Sequence, residues 1–117
     1  MGALVLSRWA LGNWWAYDRS TPLRDVVELL ACARDHGVRL LDTAALYQDG
    51  QAEEQLGRAL ELFAPGTFLV ATKGGALADG SVRLDRATLE RAVTSSLRRL
   101  RCDVLDLFQV HHVDAST

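Results

Sequence analysis

The sequence predicts an α/β fold built on a parallel sheet, and two observations carry that prediction. Short, β-branched apolar runs alternate with longer segments whose apolar residues recur at helical spacing, in the order strand–helix–strand–helix–strand–helix–strand. Each connection between runs is long enough to hold a helix, which demands parallel strands joined by right-handed crossovers. With 117 residues the chain makes one domain at most, so residues 1–117 are read as a single domain.

The first run, Leu4 to Leu11, reads as a strand ending at Gly12. Residues 13–20 read as a loop holding Trp14, Trp15 and Tyr17. Thr21-Pro22 predicts a helix start, with the threonine hydroxyl as cap and the proline at the first helical position, where its missing N–H costs nothing. Leu23, Val26, Val27, Leu30 and Ala33 continue at helical spacing, and Gly37 supplies the stop. Val38 to Leu41 is the next strand and ends on Asp42; a polar loop runs to Gly50. A helix from about 52 to 63 places Leu56, Ala59, Leu60 and Phe63 on one face, and Pro65-Gly66 breaks it. Thr67 to Thr72 is the third strand, ending at Lys73. The glycine-bearing loop from Gly74 to Gly80 leads to a third helix, capped by Asp85, with Leu89, Val93, Leu97 and Leu100 inward. Val104 to Val110 reads as the fourth strand, ending at His111.

Composition removes several classes of function. Hydrophobic residues are 49% and charged residues 24%, the balance of an ordinary globular domain rather than a disordered or fibrous chain. Thirteen basic and 15 acidic residues give a net charge of −2, so no basic surplus points to nucleic acid. The apolar stretches are broken by Arg8, Glu28, Arg34 or Asp42, and none is long enough to span a membrane. The start lacks the basic and apolar regions of a signal peptide, and Leu6 breaks the myristoylation pattern, so the expected compartment is the cytoplasm. Cys32 and Cys102 lie in apolar stretches without metal-ligand spacing, which predicts two buried free thiols rather than a bridge.

In parallel α/β folds functional groups gather where strands end, because the strand-to-helix loops converge there. Asp42, Lys73 and His111 end three successive predicted strands, and Tyr47 sits five residues beyond Asp42 in the same loop. Their shared chemistry is coherent: a phenol as proton donor, a lysine to tune it, a carboxylate to hold the lysine, and an imidazole to orient a substrate oxygen. A free tyrosine titrates near about pH 10, too high for a good acid at neutral pH, and a neighbouring ammonium lowers that value. Taken singly, each residue has a plainer role. Asp42 could accept backbone N–H groups in its loop, Tyr47 could pack, Lys73 could be a solvated charge, and His111 an ordinary loop histidine. A metal held by His111 and His112 is not expected, since adjacent side chains on a strand point to opposite faces.

The residues around these four resemble a known family. The stretch from Leu40 to Tyr47, with Asp42-Thr43-Ala44, followed by Glu53 and Leu56-Gly57-Arg58-Ala59-Leu60, resembles the aldo-keto reductase signature. Val70-Ala71-Thr72-Lys73-Gly74-Gly75 resembles the family's lysine segment, and Ser96 to His111 resembles its histidine segment. The resemblance runs through residues 9–114 in four ordered blocks. It implies a (β/α)8 TIM-type barrel, with Asp42, Tyr47, Lys73 and His111 as catalytic tetrad and NADPH as hydride donor to an aldehyde or ketone. By the same resemblance, Gly12, Asn13, Asp42 and Lys73 bind the cofactor, while Trp14, Tyr47 and His111 face the substrate, with Trp14 or Trp15 as apolar wall. No metal is implied.

A full barrel of that type takes about 250 residues. Four strands and three helices make half of one, and the expectation is an amino-terminal half-barrel without the family's carboxy-terminal cofactor contacts. Such a half exposes two sheet edges and an apolar inner face, which favours self-association. Three readings therefore stand: half of a reductase, a catalytically silent binding or regulatory module, or a half-barrel completed by a second copy or another half. His112-Val113-Asp114 departs from the family's usual residues after the histidine, so substrate contacts there are open.

Overall fold

A computed structural model of the protein describes residues 10–12 and 21–113. Four strands, β1 (Ala10–Gly12), β2 (Leu40–Asp42), β3 (Leu69–Gly74) and β4 (Leu107–Val110), pair in sequence order, every pair parallel. Three helices connect them: α1 (Leu23–Asp35), α2 (Gln51–Leu60) and α3 (Arg86–Leu100). The half of a (β/α)8 TIM-type barrel expected from the sequence is what these elements form. Residues 4–9 of the first expected strand, and the loop with Asn13, Trp14, Trp15 and Tyr17, lie outside the described residues.

The core is the layer between sheet and helices. Val26 and Leu30 of α1, Leu56 and Ala59 of α2, Leu100 of α3, Leu41 of β2, and Phe68 and Val70 of the third strand segment form one buried cluster. Leu30, Leu41, Leu56 and Leu100 are almost wholly shut from solvent, and each such side chain contributes about 1.5–3 kcal/mol. At Gly57 the backbones of α2 and α3 come so close that a Cβ would lie 2.2 Å from the Arg99 carbonyl oxygen. Only glycine permits that approach.

Several element ends differ from expectation. Pro22, not Thr21, caps α1: with φ −65° and ψ 149° it is extended, no side chain caps the helix, and the Pro22 carbonyl accepts from Asp25 and Val26. Proline's fixed φ suits an extended cap as well as a first helical turn, so the start moves by one. Helix α2 stops at Leu60 rather than 63 because the chain tightens, with Leu62 N–H donating to Ala59 and Phe63 N–H to Leu60. Phe63 still packs on the core and meets Phe68 edge-on. On α3 the fully buried positions are Ser96 and Leu100, whereas Leu89, Val93 and Leu97 are half-buried. Asp85 caps α3 as expected, its side chain accepting from the Thr88 N–H at 3.0 Å.

The cysteines are free, but Cys32 is exposed and Cys102 half-buried, which corrects the expectation of two buried thiols. The inward stripe of α1 is Val26, Leu30 and Ala33, and Cys32 falls off it by one residue, about 100° around the helix. Among the described residues no helix is long and apolar enough to cross a membrane.

Candidate active site

The strand register sets the site. Asp42 pairs with Ala71 on β3 and with Gly12 on β1, and Ala71 pairs with Leu107 on β4. Lys73 lies two residues beyond Ala71 and therefore faces the same side of the sheet as Asp42. His111 lies four beyond Leu107, and its N–H donates to the Gly74 carbonyl at 2.9 Å, so the ladder carries on past the end of β4.

The loop after β2 does not leave the sheet at once. Thr43 N–H donates to the Ala71 carbonyl at 2.9 Å and Ala45 N–H to the Lys73 carbonyl at 3.1 Å, so the chain climbs along β3. That climb carries Tyr47 over Lys73. The turn Tyr47–Gly50 then holds Gln48 and Asp49 in the left-handed region, at φ 50° and 55°, and Gly50 at 87°. Two consecutive non-glycine residues there are strained by about 1–3 kcal/mol each, so the surroundings must hold the turn in place.

Lys73 Nζ is 2.8 Å from both carboxylate oxygens of Asp42 and 3.0 Å from the Thr43 carbonyl. Its side chain is 18% exposed and that of Asp42 35%, so the pair is partly buried. The ammonium lies 5.6 Å from the centroid of the Tyr47 ring, and the Tyr47 and His111 rings meet edge-on at 5.7 Å. His111 Nδ1 is buried and has no hydrogen-bond partner among the described residues. Burial first, then His112 and Lys73, push the His111 pKa below its ordinary value, with Asp42 pulling weakly the other way. The imidazole is therefore neutral at pH 7 and has one N–H to give.

Asp42, Lys73 and His111, expected at the strand ends, and Tyr47, expected in the loop after Asp42, thus stand together. Gly12 adjoins Asp42 on the neighbouring strand, while Asn13 and Trp14 lie outside the described residues. The rings of His111 and His112 stack at 4.6 Å, which overturns the expectation that they diverge. Regular pleating ends at Val110, and the alternation rule ends with it. Among the described residues no three His, Cys, Asp or Glu side chains are grouped to hold a metal ion.

A second polar cluster behind the four escaped the sequence reading. Glu53 in the first turn of α2 is wholly buried. Its carboxylate accepts from Thr72 Oγ1 at 2.6 Å and from Arg99 Nε at 2.7 Å. The available signal was its spacing, three residues before Leu56 on the apolar face, beside an exposed Glu54.

Comparison with known proteins identifies the family. The family model described as "Aldo/keto reductase family" matches residues 3–117. The chain is 32% identical over 118 residues to a protein of Arabidopsis thaliana named "Probable voltage-gated potassium channel subunit beta", covering 97% of this chain and 36% of that protein. Among solved structures, the glycerol dehydrogenase of Gluconobacter oxydans is 38% identical, with a TM-score of 0.79 over 96% of this chain and 37% of that one. An aldo-keto reductase of Klebsiella pneumoniae in complex with NADPH is 31% identical, with a TM-score of 0.73 over 90% of this chain and 35% of that one. The chain spans little more than a third of the length of each of these relatives. Matched along nearly its whole length by the family model, and folded like part of such an enzyme, the chain belongs to the aldo/keto reductase family.

Proposed function

We propose that the chain serves an NADP-dependent oxidoreductase of the cytoplasm that reduces the carbonyl of an aldehyde or ketone to an alcohol. The observation that supports this most is the meeting of Asp42, Tyr47, Lys73 and His111 at one end of the sheet. NADPH, when bound, supplies the hydride that reaches the carbonyl carbon. Two features suit a nicotinamide there: Gly12 leaves the strip beside Asp42 without a side chain, and His111 Nδ1 is a buried polar atom unpaired among the described residues. In this reading Gly12, Asn13, Asp42 and Lys73 border the cofactor, and Trp14, Tyr47 and His111 border the substrate.

The residues then divide the work. Tyr47 gives its phenolic proton to the carbonyl oxygen as the carbon is reduced. The Lys73 ammonium faces the ring, so the negative charge left on the phenol is stabilised inside a partly dry pocket. Asp42 holds that ammonium in place through both carboxylate oxygens. Neutral His111 donates an N–H to the carbonyl oxygen and fixes its direction.

The test is a fluorescence titration with NADPH, run beside turnover of a generic aromatic aldehyde by the chain and by Tyr47→Phe. The expected result is saturable binding by both and a kcat lower by about 100-fold or more in the variant. Turnover that ignores Tyr47 would overturn the assignment.

A second reading, a binding or regulatory module without turnover, has its own support. The Arabidopsis relative is by its name a channel subunit. Leu107 and Val110 of β4 are 40% and 43% exposed, which favours docking of a second copy or of a completing half-barrel. Saturable NADPH binding without turnover, together with self-association in sedimentation, is the outcome that would select it.

A further inference from the structure

We propose that buried Glu53 and Thr72, with half-buried Arg99, form a clamp that sets where Tyr47 stands relative to Lys73, as positioning residues for the proton transfer; the kinetic part of this rests on the function proposed above. Each arm of the clamp reaches a different element. Thr72 precedes Lys73 on β3 and points to the helix side, so its bond to Glu53 Oε1 fixes the strand from behind. Arg99 comes from α3 and closes on Glu53 Oε2. Glu53 itself lies six residues after Tyr47, at the start of the helix into which the strained turn leads.

The contact with that turn is direct. A Cβ on Gly50 would lie 3.0 Å from Arg99 Cδ and 3.1 Å from Arg99 Nε, so the arginine stem lies flat against the last left-handed residue after Tyr47. Gln48 and Asp49 gain nothing intrinsic from positive φ, and such residues persist only where their neighbours over-determine them. The clamp supplies that constraint. Burial of the Glu53 carboxylate is tolerable because both oxygens are occupied, one by a guanidinium. Losing either partner frees the turn and the strand at once.

Thr72→Val removes one arm while keeping shape and volume, and Thr72→Ser restores the hydroxyl. Arg99→Lys keeps the charge and loses the planar Nε that meets Glu53. The chain has two tyrosines, so ring-labelled tyrosine gives two sets of resonances, assigned by Tyr47→Phe. The expected result is that Thr72→Val and Arg99→Lys shift the Tyr47 ring signals, with Thr72→Ser returning them to the wild-type position. In turnover the same variants lower kcat about tenfold or more with KM changed less than about twofold, because a small misplacement costs rate before it costs binding. Tyr47 signals that superpose on wild type in both folded variants would overturn the clamp. A wild-type chain that reduces no carbonyl would sink the reductase reading instead, and the Tyr47 signals would still decide the clamp.

Discussion

Replacing Gly57 by alanine sets two effects of opposite sign against each other, and the structure decides between them. Alanine is the better helix former by about 0.8–1 kcal/mol, and Gly57 lies inside α2 with ordinary helical geometry. Against this, the new Cβ would sit 2.2 Å from the Arg99 carbonyl oxygen, 2.8 Å from the Leu100 carbonyl carbon and 2.9 Å from Leu100 Cα. All three atoms are backbone, so no side-chain rotation relieves the clash, and α2 and α3 must separate by about 1 Å. Overpacking of this kind costs about 1–3 kcal/mol and sometimes more, and an obstacle made of backbone belongs at the upper end. The net loss is about 2 kcal/mol. With an unfolding entropy of about 2.1 cal/mol/K per residue, that lowers Tm by roughly 8 °C. The assay is a thermal melt followed by far-ultraviolet circular dichroism, with Gly66→Ala as control. Gly66 has φ +81° and a Cβ placed there would meet nothing within 4 Å, so its loss comes from backbone conformation alone, about 1 kcal/mol. A Gly57→Ala chain that melts at or above wild type would refute the close-approach argument.

Further expectations concern charge. The folded chain disfavours protonated His111, so its pKa lies below the ordinary 6.5; the unfolded state then binds more protons, and stability that is complete above about pH 6.5 declines as pH falls through the lower folded value. His111→Gln removes that part of the slope, and equal losses of urea midpoint between pH 7.5 and 5.5 in both chains would contradict it. Asp42→Asn leaves the Lys73 ammonium with the Thr43 carbonyl and no counter-charge, which costs about 2 kcal/mol, between the surface and buried extremes for ion pairs; an unchanged denaturation midpoint would show the pair to be neutral for folding. Asp85→Ala strips the cap of α3, lowering Tm, and Asp85→Ser recovers most of the loss; its carboxyl is held below the usual range by the Thr88 hydroxyl and N–H, so the cap weakens as pH falls below about 4.

The parts of this molecule that were legible in the sequence are those set by local rules. Apolar runs that stop at a polar residue gave away Asp42, Lys73 and His111, and the motif around Asp42 singled out Tyr47. Glu53 was illegible as a buried group because an acidic residue in a helix is ordinarily solvated; its burial depends on Thr72 and Arg99, which lie 19 and 46 residues away. The left-handed Gln48 and Asp49 were equally hidden, since neither residue type demands positive φ. His111 and His112 were illegible for a different reason: regular pleating ends at Val110, so strand alternation does not reach them and their rings stack.

The register that assembles the site has a parity the sequence does not display. Taking Asp42 as the origin, Lys73 lies two residues further along the next strand and His111 four residues further along the one after. Each step is about 6.6 Å along a strand, and both offsets are even. The even offset keeps Asp42 and Lys73 on the inner face, whereas an odd slip of β3 would turn Lys73 toward the helices; His111, one residue past β4, is placed by its N–H bond to the Gly74 carbonyl. That inner face is guarded by what occupies the other one: Leu41, Val70 and Thr72 point into the layer between sheet and helices, where Val70 is core and Thr72 is bound to Glu53. Shifting β3 by one residue would expose Val70 and bury the Lys73 ammonium beside the core. The hydrophobic term that fixes the register is therefore the same term that aligns the polar groups, and the site is built by the packing on the opposite side of the sheet.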